Sequence, residues 1–383
     1  MKKAYHQNWL QILCCGVLIL SAILLTSCES GTTTNNPSPA TGNGGNGGKG
    51  CTKVGILLPE TVSSVRWETK DHPLLVQAIK AAIPNVQIDY NNDAQGDSNL
   101  QLTQAQDDLA KGDCILVVGA HDGVAAADIV ATARARNVPV IAYDRLIQSK
   151  DLNYYVSFDG IKVGQLQGQY IADHYQEYQK EGVVHITMIS GSQTDTNALL
   201  FSMGAHSVLD PLFANGNLKN ILETFTPNWD NNTAQAEMAA ILADQQNNIQ
   251  IAYVANDGMA QGTISALKAA HLNGKVLVTG QDATVAGIHS ILTGEQNMTV
   301  YKPIAKEAQS VGDLVKALYN GSDIKALTHG VTTSTYDGGN IPSILDAPVA
   351  VDRNNIASTV IADNFISKND VCTDIPPGTA GVC

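Results

Sequence analysis

One pattern repeats along most of the chain: a short apolar, β-branched run, then a polar loop, then a segment with helical apolar spacing. It recurs about every thirty residues, which is typical of a doubly wound parallel sheet covered by helices on both faces. The run Val138–Ala142 is one such strand, and Asp144 and Arg145 follow it closely. Because ligands bind beyond the carboxyl ends of parallel strands, this acid and base mark a candidate site. A second series begins at Val183, so we expect two sheets whose strand ends face each other across a cleft.

Polar side chains of unusual variety follow the other strands as well. Singly, each has an ordinary explanation: Asp144 and Arg145 can form a surface ion pair, and Asn256 and Asp257 can make a turn or cap a helix. Capping selects Ser, Thr, Asp or Asn, however, and does not require the bases, the amide and the indoles found here. These are Arg145, Gln281, Lys302, Trp67 and Trp229.

This set of side chains suits a sugar. Vicinal hydroxyl groups both donate and accept hydrogen bonds, so acids, amides and guanidinium groups can bind them in pairs. The apolar face of a pyranose ring can also pack on an indole. A buried site of this kind discriminates between sugars, because an analogue that lacks one hydroxyl leaves a protein group unpaired.

Composition excludes several other classes of function. The 383 residues suffice for two domains with their own cores. The net charge of −13 leaves no basic stripe for a nucleic acid. We expect no metal and no cofactor: Asp89–Asp93 begins like a calcium loop, but Ala94 and Leu100 stand where that loop needs Gly and Glu.

An enzyme is the first alternative. A pair of carboxylates such as Asp144 and Asp282 would suit glycoside hydrolysis. Each acid of the candidate site, however, has a basic or amide neighbour in the sequence. That arrangement favours an ionised hydrogen-bond acceptor over a proton donor with a raised pKa. We therefore expect a binding protein and not an enzyme.

The N-terminus resembles a bacterial lipoprotein signal. Lys2 and Lys3 precede an apolar run that ends at Leu25-Thr26-Ser27-Cys28. We expect cleavage before Cys28, so that residues 1–27 are a signal peptide and residues 28–50 are a lipidated Cys and a flexible linker. The alternative is an uncleaved transmembrane helix. Lipidation would anchor the protein to the membrane on its extracytoplasmic side.

Export permits disulfides. Cys51 precedes the first strand and Cys114 precedes the strand Ile115–Val118. If these strands are parallel neighbours, the two cysteines lie at the same sheet edge, and we expect them to pair. Cys372 and Cys383 would then close a C-terminal loop. Free buried thiols are the alternative for the first pair.

Seven segments carry a family resemblance. From about Lys53 to Ser367, the chain resembles the type I periplasmic sugar-binding proteins of ABC transporters, and among them the xylose-binding members most. The segments are Arg66-Trp67-Glu68, Ala142–Arg145, Ser157-Phe158-Asp159 with Val163-Gly164, Asp195–Ala198, Asn256-Asp257, Gly280–Ala283 and Thr299–Pro303.

The resemblance implies a two-domain α/β fold, with two doubly wound, Rossmann-like parallel sheets joined by a three-segment hinge. The N-terminal sugar-binding domain would comprise residues 51–157 and 302–329, and the C-terminal one residues 158–300 and 340–383. The third crossing between them would lie within Thr328–Ser343. The chain would be a monomer that closes on a monosaccharide, D-xylose or a similar aldose, and delivers it to an ABC permease. A sugar sensor acting on a chemoreceptor or kinase is an alternative, as is a receptor for glucose, arabinose or autoinducer-2.

The resemblance also assigns sugar-binding roles residue by residue. These residues are Arg66, Trp67, Asp122, Asp144, Arg145, Asn197, Trp229, Asn256, Asp257, Asp282 and Lys302. One departure concerns the first loop. The family pattern has an acid four residues after Arg66, but Lys70 holds that position and Asp71 follows it. The register of this loop is therefore open.

Overall fold

The computed structural model describes residues 47–61, 64–92, 96–179 and 182–383. The predicted signal peptide, Cys28 and most of the predicted linker lie outside the described residues. Within the described ranges, no helix is both long enough and apolar enough to cross a membrane.

The strands follow the predicted β-α alternation. In chain order they are β1 (Lys53–Leu57), β2 (Gln87–Asn91), β3 (Ile115–Val118), β4 (Val140–Tyr143), β5 (Tyr154–Phe158), β6 (Val184–Ser190), β7 (Leu218–Phe225), β8 (Ile251–Val254), β9 (Leu277–Val278), β10 (Met298–Tyr301), β11 (Thr332–Ser334), β12 (Asn340–Asp346) and β13 (Val349–Asp352).

The helices lie between these strands. They are α1 (His72–Ala82), α2 (Ser98–Lys111), α3 (Ala127–Arg134), α4 (Gly160–His174), α5 (Thr196–Ala214), α6 (Asn231–Asp244), α7 (Asp257–Ala269), α8 (Val285–Thr293), α9 (Ile304–Asn320), α10 (Lys325–Thr328) and α11 (Lys368–Val371).

Two parallel sheets form the cores of two lobes. In lobe 1 the strand order is β11-β12-β5-β4-β3-β1-β2, and only β11 is antiparallel to its neighbour. In lobe 2 the order is β7-β6-β8-β9, and a β10-β13 ribbon continues it through hydrogen bonds such as Val300 N to Gly280 O at 3.1 Å. Their central strands are buried and rich in Val, Ile and Leu, as expected when helices cover both faces. The predicted α/β fold class is confirmed.

The chain crosses between the lobes three times, after β5, β10 and β12. We predicted residues 340–383 for the C-terminal domain, and this prediction is wrong for β12. That strand pairs in parallel with β5, from Ser343 opposite Tyr155 to Asp346 opposite Phe158. A turn between Thr335 and Gly339 folds β12 back on β11. The third crossing therefore follows Asp346, outside Thr328–Ser343.

The loop after β1, whose register the sequence left open, ends in one turn of π-helix, Trp67–Asp71, that leads directly into α1. A π-turn adds one residue to the helical repeat and occurs often at functional sites. Here it sets the direction of Arg66 and Trp67.

Two disulfides are present among the described residues. Cys51 pairs with Cys114, and Cys372 pairs with Cys383. The first joins the starts of two neighbouring parallel strands, because Val54 of β1 lies opposite Ile115 of β3. The second closes the C-terminal segment that packs on lobe 2 beside α8.

Small residues allow α4 and α5 to pack closely in lobe 2. A Cβ at Gly164 would lie 1.9 Å from the carbonyl oxygen of Phe201, and a Cβ at Gly204 would lie 2.1 Å from that of Ile161. Because these neighbours are backbone atoms, only a movement of a whole helix would relieve the contact. The start of α5 carries polar residues into the cleft, so this packing fixes their position.

A buried carboxylate holds the strand ends of lobe 2 together. Asp257 opens α7 directly after β8 and has no exposed surface. It accepts hydrogen bonds from Thr284 N at 2.8 Å, Gln296 Nε2 at 2.8 Å and Thr299 Oγ1 at 2.9 Å. Burial raises the pKa of Asp257 to about 7, although these donors favour the charged form.

We expect Gly164→Ala to destabilise lobe 2 by about 1–3 kcal/mol, the usual cost of overpacking a close helix contact. Urea unfolding measures this free energy. Lys162→Ala is the matched control, since Lys162 is exposed on the same helix and should change stability by no more than about 0.5 kcal/mol. Equal stability of the Gly164→Ala variant and the parent would contradict the close packing.

We also expect stability to depend on pH through Asp257. The folded pKa lies above the unfolded value near 3.9, so the folded state binds a proton that the unfolded chain has released between about pH 4 and pH 7. The contribution of Asp257 to the free energy of unfolding therefore falls as the pH rises from about 4 to about 7. Between pH 5 and pH 8, the parent should lose about 1–3 kcal/mol more unfolding free energy than the Asp257→Asn variant. Asp128→Asn, on the exposed side of α3, should keep the parent slope, and an unchanged slope in Asp257→Asn would refute the assignment.

Candidate functional site

A small cavity of about 30 Å³ lies between the two lobes, at the carboxyl ends of both parallel sheets. Residues from both lobes and from the crossing after β10 line this cavity. They are Ser64, Arg66, Trp67, Asp144, Arg145, Asp195, Asn197, Phe201, Trp229, Asn256, Gln281, Asp282 and Lys302.

Asp144 is the central charge of this cavity. It follows β4 with a left-handed backbone (φ 59°), which Asp tolerates better than most residues. Its Oδ2 accepts from Arg66 Nη2 at 2.8 Å and from Lys302 Nζ at 3.0 Å, and its Oδ1 accepts from Asn197 Nδ2 at 3.0 Å. Burial by itself would raise the pKa of Asp144, but the two cations outweigh it and hold the pKa well below its usual range.

The π-turn explains the departure in the first loop. Arg66 and Asp71 are five residues apart, and Arg66 donates from Nε and Nη2 to the two carboxylate oxygens of Asp71 at 3.0 and 2.9 Å. In a π-turn the fifth residue takes the place that the fourth holds in an α-helix. Asp71 is therefore the acid that orients the guanidinium group, and Lys70 points elsewhere, toward Phe365.

Arg145 links the lobes at another point. Its Nε lies 3.0 Å from Asp195 Oδ2, across the cleft. Its Nη1 donates to Ala120 O at 3.2 Å, and its guanidinium group stands 5.3 Å from the centre of the Trp67 ring. Asp195 also caps α5 by accepting from Asn197 N at 2.9 Å. One carboxylate thus positions both the helix start and the arginine.

Two indoles form apolar parts of the wall, one from each lobe. Trp67 is 2% exposed and packs edge-on against Tyr143. Trp229 has a left-handed backbone (φ 56°), and its ring lies on the backbone at Gly191, where a Cβ would come within 2.2 Å of the indole. Gly191 is therefore required for the ring to reach the cavity.

Nine of the eleven residues predicted to bind sugar line this cavity: Arg66, Trp67, Asp144, Arg145, Asn197, Trp229, Asn256, Asp282 and Lys302. The structure brings them together, and their contact with a sugar stays a prediction. Asp122 and Asp257 do not line it. Asp122 accepts from the backbone N–H groups of Val124 and Ala125 at 2.8 and 2.9 Å, and Asp257 is the buried anchor of lobe 2.

The sequence prediction omitted four lining residues: Ser64, Asp195, Phe201 and Gln281. Asp195 and Gln281 were visible as strand-end polar residues within the family segments, but they were not chosen. Phe201 is buried on α5 and packs edge-on against Trp229. The sequence carried no signal for Ser64, because this residue belongs to none of the family segments.

Several buried polar atoms of the wall have no hydrogen-bond partner among the described residues. They include the indole nitrogens of Trp67 and Trp229, Asp282 Oδ1 and the hydroxyl of Ser64. Indole nitrogens only donate, and an ionised carboxylate only accepts. A ligand that satisfies all of them must both donate and accept hydrogen bonds, as hydroxyl groups do. Hydroxyl groups of a ligand could pair with these atoms without a metal ion.

Comparison with known proteins agrees with this geometry. Residues 54–323 match the model of the periplasmic binding protein domain family. The D-xylose-binding periplasmic protein of Haemophilus influenzae is 35% identical over 322 residues, covering 83% of this chain and 92% of that protein. The multiple sugar-binding periplasmic receptor ChvE of Rhizobium radiobacter is 36% identical over 334 residues, with the same shares of 83% and 92%.

Solved structures show the same fold. A carbohydrate transporter solute-binding protein from Chloroflexus aurantiacus, in complex with D-glucose, aligns with a TM-score of 0.72 and 30% identity over 84% of this chain and 98% of its own. An ABC transporter solute-binding protein from Clostridium phytofermentans with bound β-D-glucose has a TM-score of 0.73 and 28% identity over 83% and 99%. The two-lobed fold, the cleft at the strand ends and these matches agree: the chain belongs to the periplasmic binding protein family.

Proposed function

We propose that this protein is the solute receptor of an ABC importer, which captures a monosaccharide between its lobes by hinge closure. The observation that carries the proposal is the wall of the cavity. It combines an ionised acid held by two cations, unpaired donors and acceptors, and an indole from each lobe. The relatives are named as binding proteins and not as enzymes, which supports a role in binding.

D-xylose is the favoured ligand. Two relatives at 35% and 32% identity are D-xylose-binding proteins. Others at 36% identity bind multiple sugars, and the aligned solute-binding proteins hold glucose. Glucose and arabinose therefore remain the nearest alternatives. We further infer that the mature chain is lipid-anchored through Cys28 outside the cytoplasm, a proposal that rests on the sequence of the N-terminus.

Hinge closure is supported by the contacts that join the lobes directly. Asn197 of lobe 2 donates to Asp144 of lobe 1, and Arg145 pairs with Asp195. At the rim, Gly123 N donates to Thr194 O at 3.0 Å, and Gln148 Nε2 donates to Thr196 Oγ1 at 2.8 Å. Movement of the lobes away from each other would break these bonds. A ligand that binds both lobes would favour this closed form through its differential contacts. A sensor would use the same closure to signal to a different partner.

The first test is a thermal-shift screen of the full chain in mild detergent against pentoses, hexoses and autoinducer-2. A ligand that binds only the folded state raises the melting temperature by mass action, by about 5 °C or more at a hundredfold excess over Kd. We expect D-xylose to give such a shift. A shift with glucose or arabinose alone would change the ligand, and no shift with any monosaccharide would refute the sugar receptor.

Asp144→Asn should abolish that shift. It keeps the size of the side chain but removes the charge that Arg66 and Lys302 share, and we expect affinity to fall about 100-fold or more by calorimetry. Asp122→Asn is the matched control in the same lobe. Asn is also a good helix cap, and Asp122 lies outside the cavity, so the affinity should stay within twofold. Normal binding by the Asp144→Asn variant would contradict the assignment.

Closure itself can be followed by small-angle X-ray scattering. The radius of gyration of the parent protein should fall when the sugar that binds is added. Asp195→Asn retains the helix cap but weakens the contact to Arg145, so about tenfold more sugar should be needed for the same decrease. If the sugar binds with no change in the radius of gyration, hinge closure is wrong while sugar binding stands.

A further inference from the structure

A second, larger cavity adjoins the first one. Its volume is about 630 Å³, against about 30 Å³ for the inner cavity by the same measure. Four residues line both cavities: Ser64, Arg66, Asn256 and Asp282. We call the larger cavity the outer groove. Its walls are the segment Ser64–Lys70 of lobe 1, the starts of α7 and α8 in lobe 2, and the C-terminal segment around Phe365.

The junction between the cavities holds unpaired polar groups. The hydroxyl of Ser64 is buried without a hydrogen-bond partner among the described residues, and so is Asp282 Oδ1 on a side chain that is 6% exposed. The nearest cations to that oxygen are Arg66 at 3.6 Å and Lys302 at 3.7 Å, beyond hydrogen-bond distance. A polar group of a ligand that passes through the junction would satisfy both atoms.

The cleft is closed at another part of its rim. There, Gly123 N bonds to Thr194 O, and Gln148 bonds to Thr196. The Arg145–Asp195 ion pair lies just inside. A ligand too long for the inner cavity is therefore blocked at that rim, whereas the outer groove adjoins the inner cavity at their shared lining residues.

The chemistry of the outer groove suits a neutral ring with apolar faces. Val65 on the lobe 1 side is 63% exposed, and Val285 on the lobe 2 side is 39% exposed. The lysines of this groove have partners. Lys268 pairs with Glu295 at 2.8 Å, and Lys70 donates to the carbonyl oxygen of Phe365 and lies over its ring. No uncompensated cluster of bases is present among the described lining residues to favour a phosphate or a sugar acid.

We propose that the outer groove is a subsite for a second sugar ring, so that the protein binds a disaccharide as well as a monosaccharide. This inference rests on the proposed function, because the first ring would occupy the inner cavity. The glycosidic linkage would pass the junction at Ser64 and Asp282. The second ring would lie between Val65 and α8, with its hydroxyl groups toward the solvent-exposed side.

Calorimetry on the full chain in mild detergent tests this proposal. The probes are D-xylose with xylobiose, and D-glucose with cellobiose and maltose. We expect the parent protein to bind at least one disaccharide with a Kd within tenfold of that of its monosaccharide. Ala286→Trp places an indole in the outer groove from an exposed position on α8. It should weaken the disaccharide at least tenfold and change the monosaccharide by less than twofold.

Ala239→Trp is the matched control, an exposed position on α6 of the same lobe that does not line the groove. It should leave both ligands unchanged. If the parent binds a monosaccharide but no disaccharide, or if Ala286→Trp binds both as the parent does, the second subsite is refuted and the proposed function stands. If neither kind of sugar binds, the proposed function itself fails.

Discussion

The closed arrangement of this protein depends on one buried carboxylate. Asp144 accepts from Arg66 in lobe 1, Asn197 in lobe 2 and Lys302 at the crossing after β10. Burying a charge is costly unless it is paired and hydrogen-bonded, and here three donors from three parts of the chain meet that requirement. Because the donors come from both lobes, opening the cleft would remove part of this shell. The position of the lobes and the charge state of the site are thus coupled.

The supporting charges follow the same logic. Arg66 is oriented by Asp71, which also accepts from the hydroxyl of Tyr143 at 2.6 Å. Glu307 of α9 lies behind them and has no exposed surface. Burial, together with the nearby charge of Asp144, raises the pKa of Glu307 well above its usual value. A raised pKa favours the neutral form of Glu307, which reduces the excess of negative charge around Arg66. The cluster therefore combines a lowered pKa at Asp144, which faces the cavity, with a raised pKa at Glu307 behind it.

The sequence predicted the β-α order and most of the cavity wall, because the strand ends of a parallel sheet must meet at one edge. It did not predict the direction of each side chain. Asn256 and Asp257 are adjacent, yet only Asn256 faces the inner cavity, while Asp257 turns back toward Thr284 and Gln296. Asp122 was misplaced for the same reason, since capping and ligand binding select the same residue types. The π-turn arises from tertiary packing that no local pattern encodes. The β11–β12 hairpin does carry a local turn signal, Asp337-Gly338, which the domain prediction did not use.

The unpaired indole nitrogens have a consequence for the protein without bound sugar. In a shut cleft without sugar, Trp67 Nε1, Trp229 Nε1 and Asp282 Oδ1 have no hydrogen-bond partner among the described residues, so water held in the cavity would have to serve them. Two such ordered waters would cost up to about 4 kcal/mol, which would lower the population of the empty shut form by up to about a thousandfold. Under the proposed function, an importer that recognises the shut form would then rarely meet an empty receptor. The atoms proposed to bind the sugar would thereby also limit futile ATP hydrolysis.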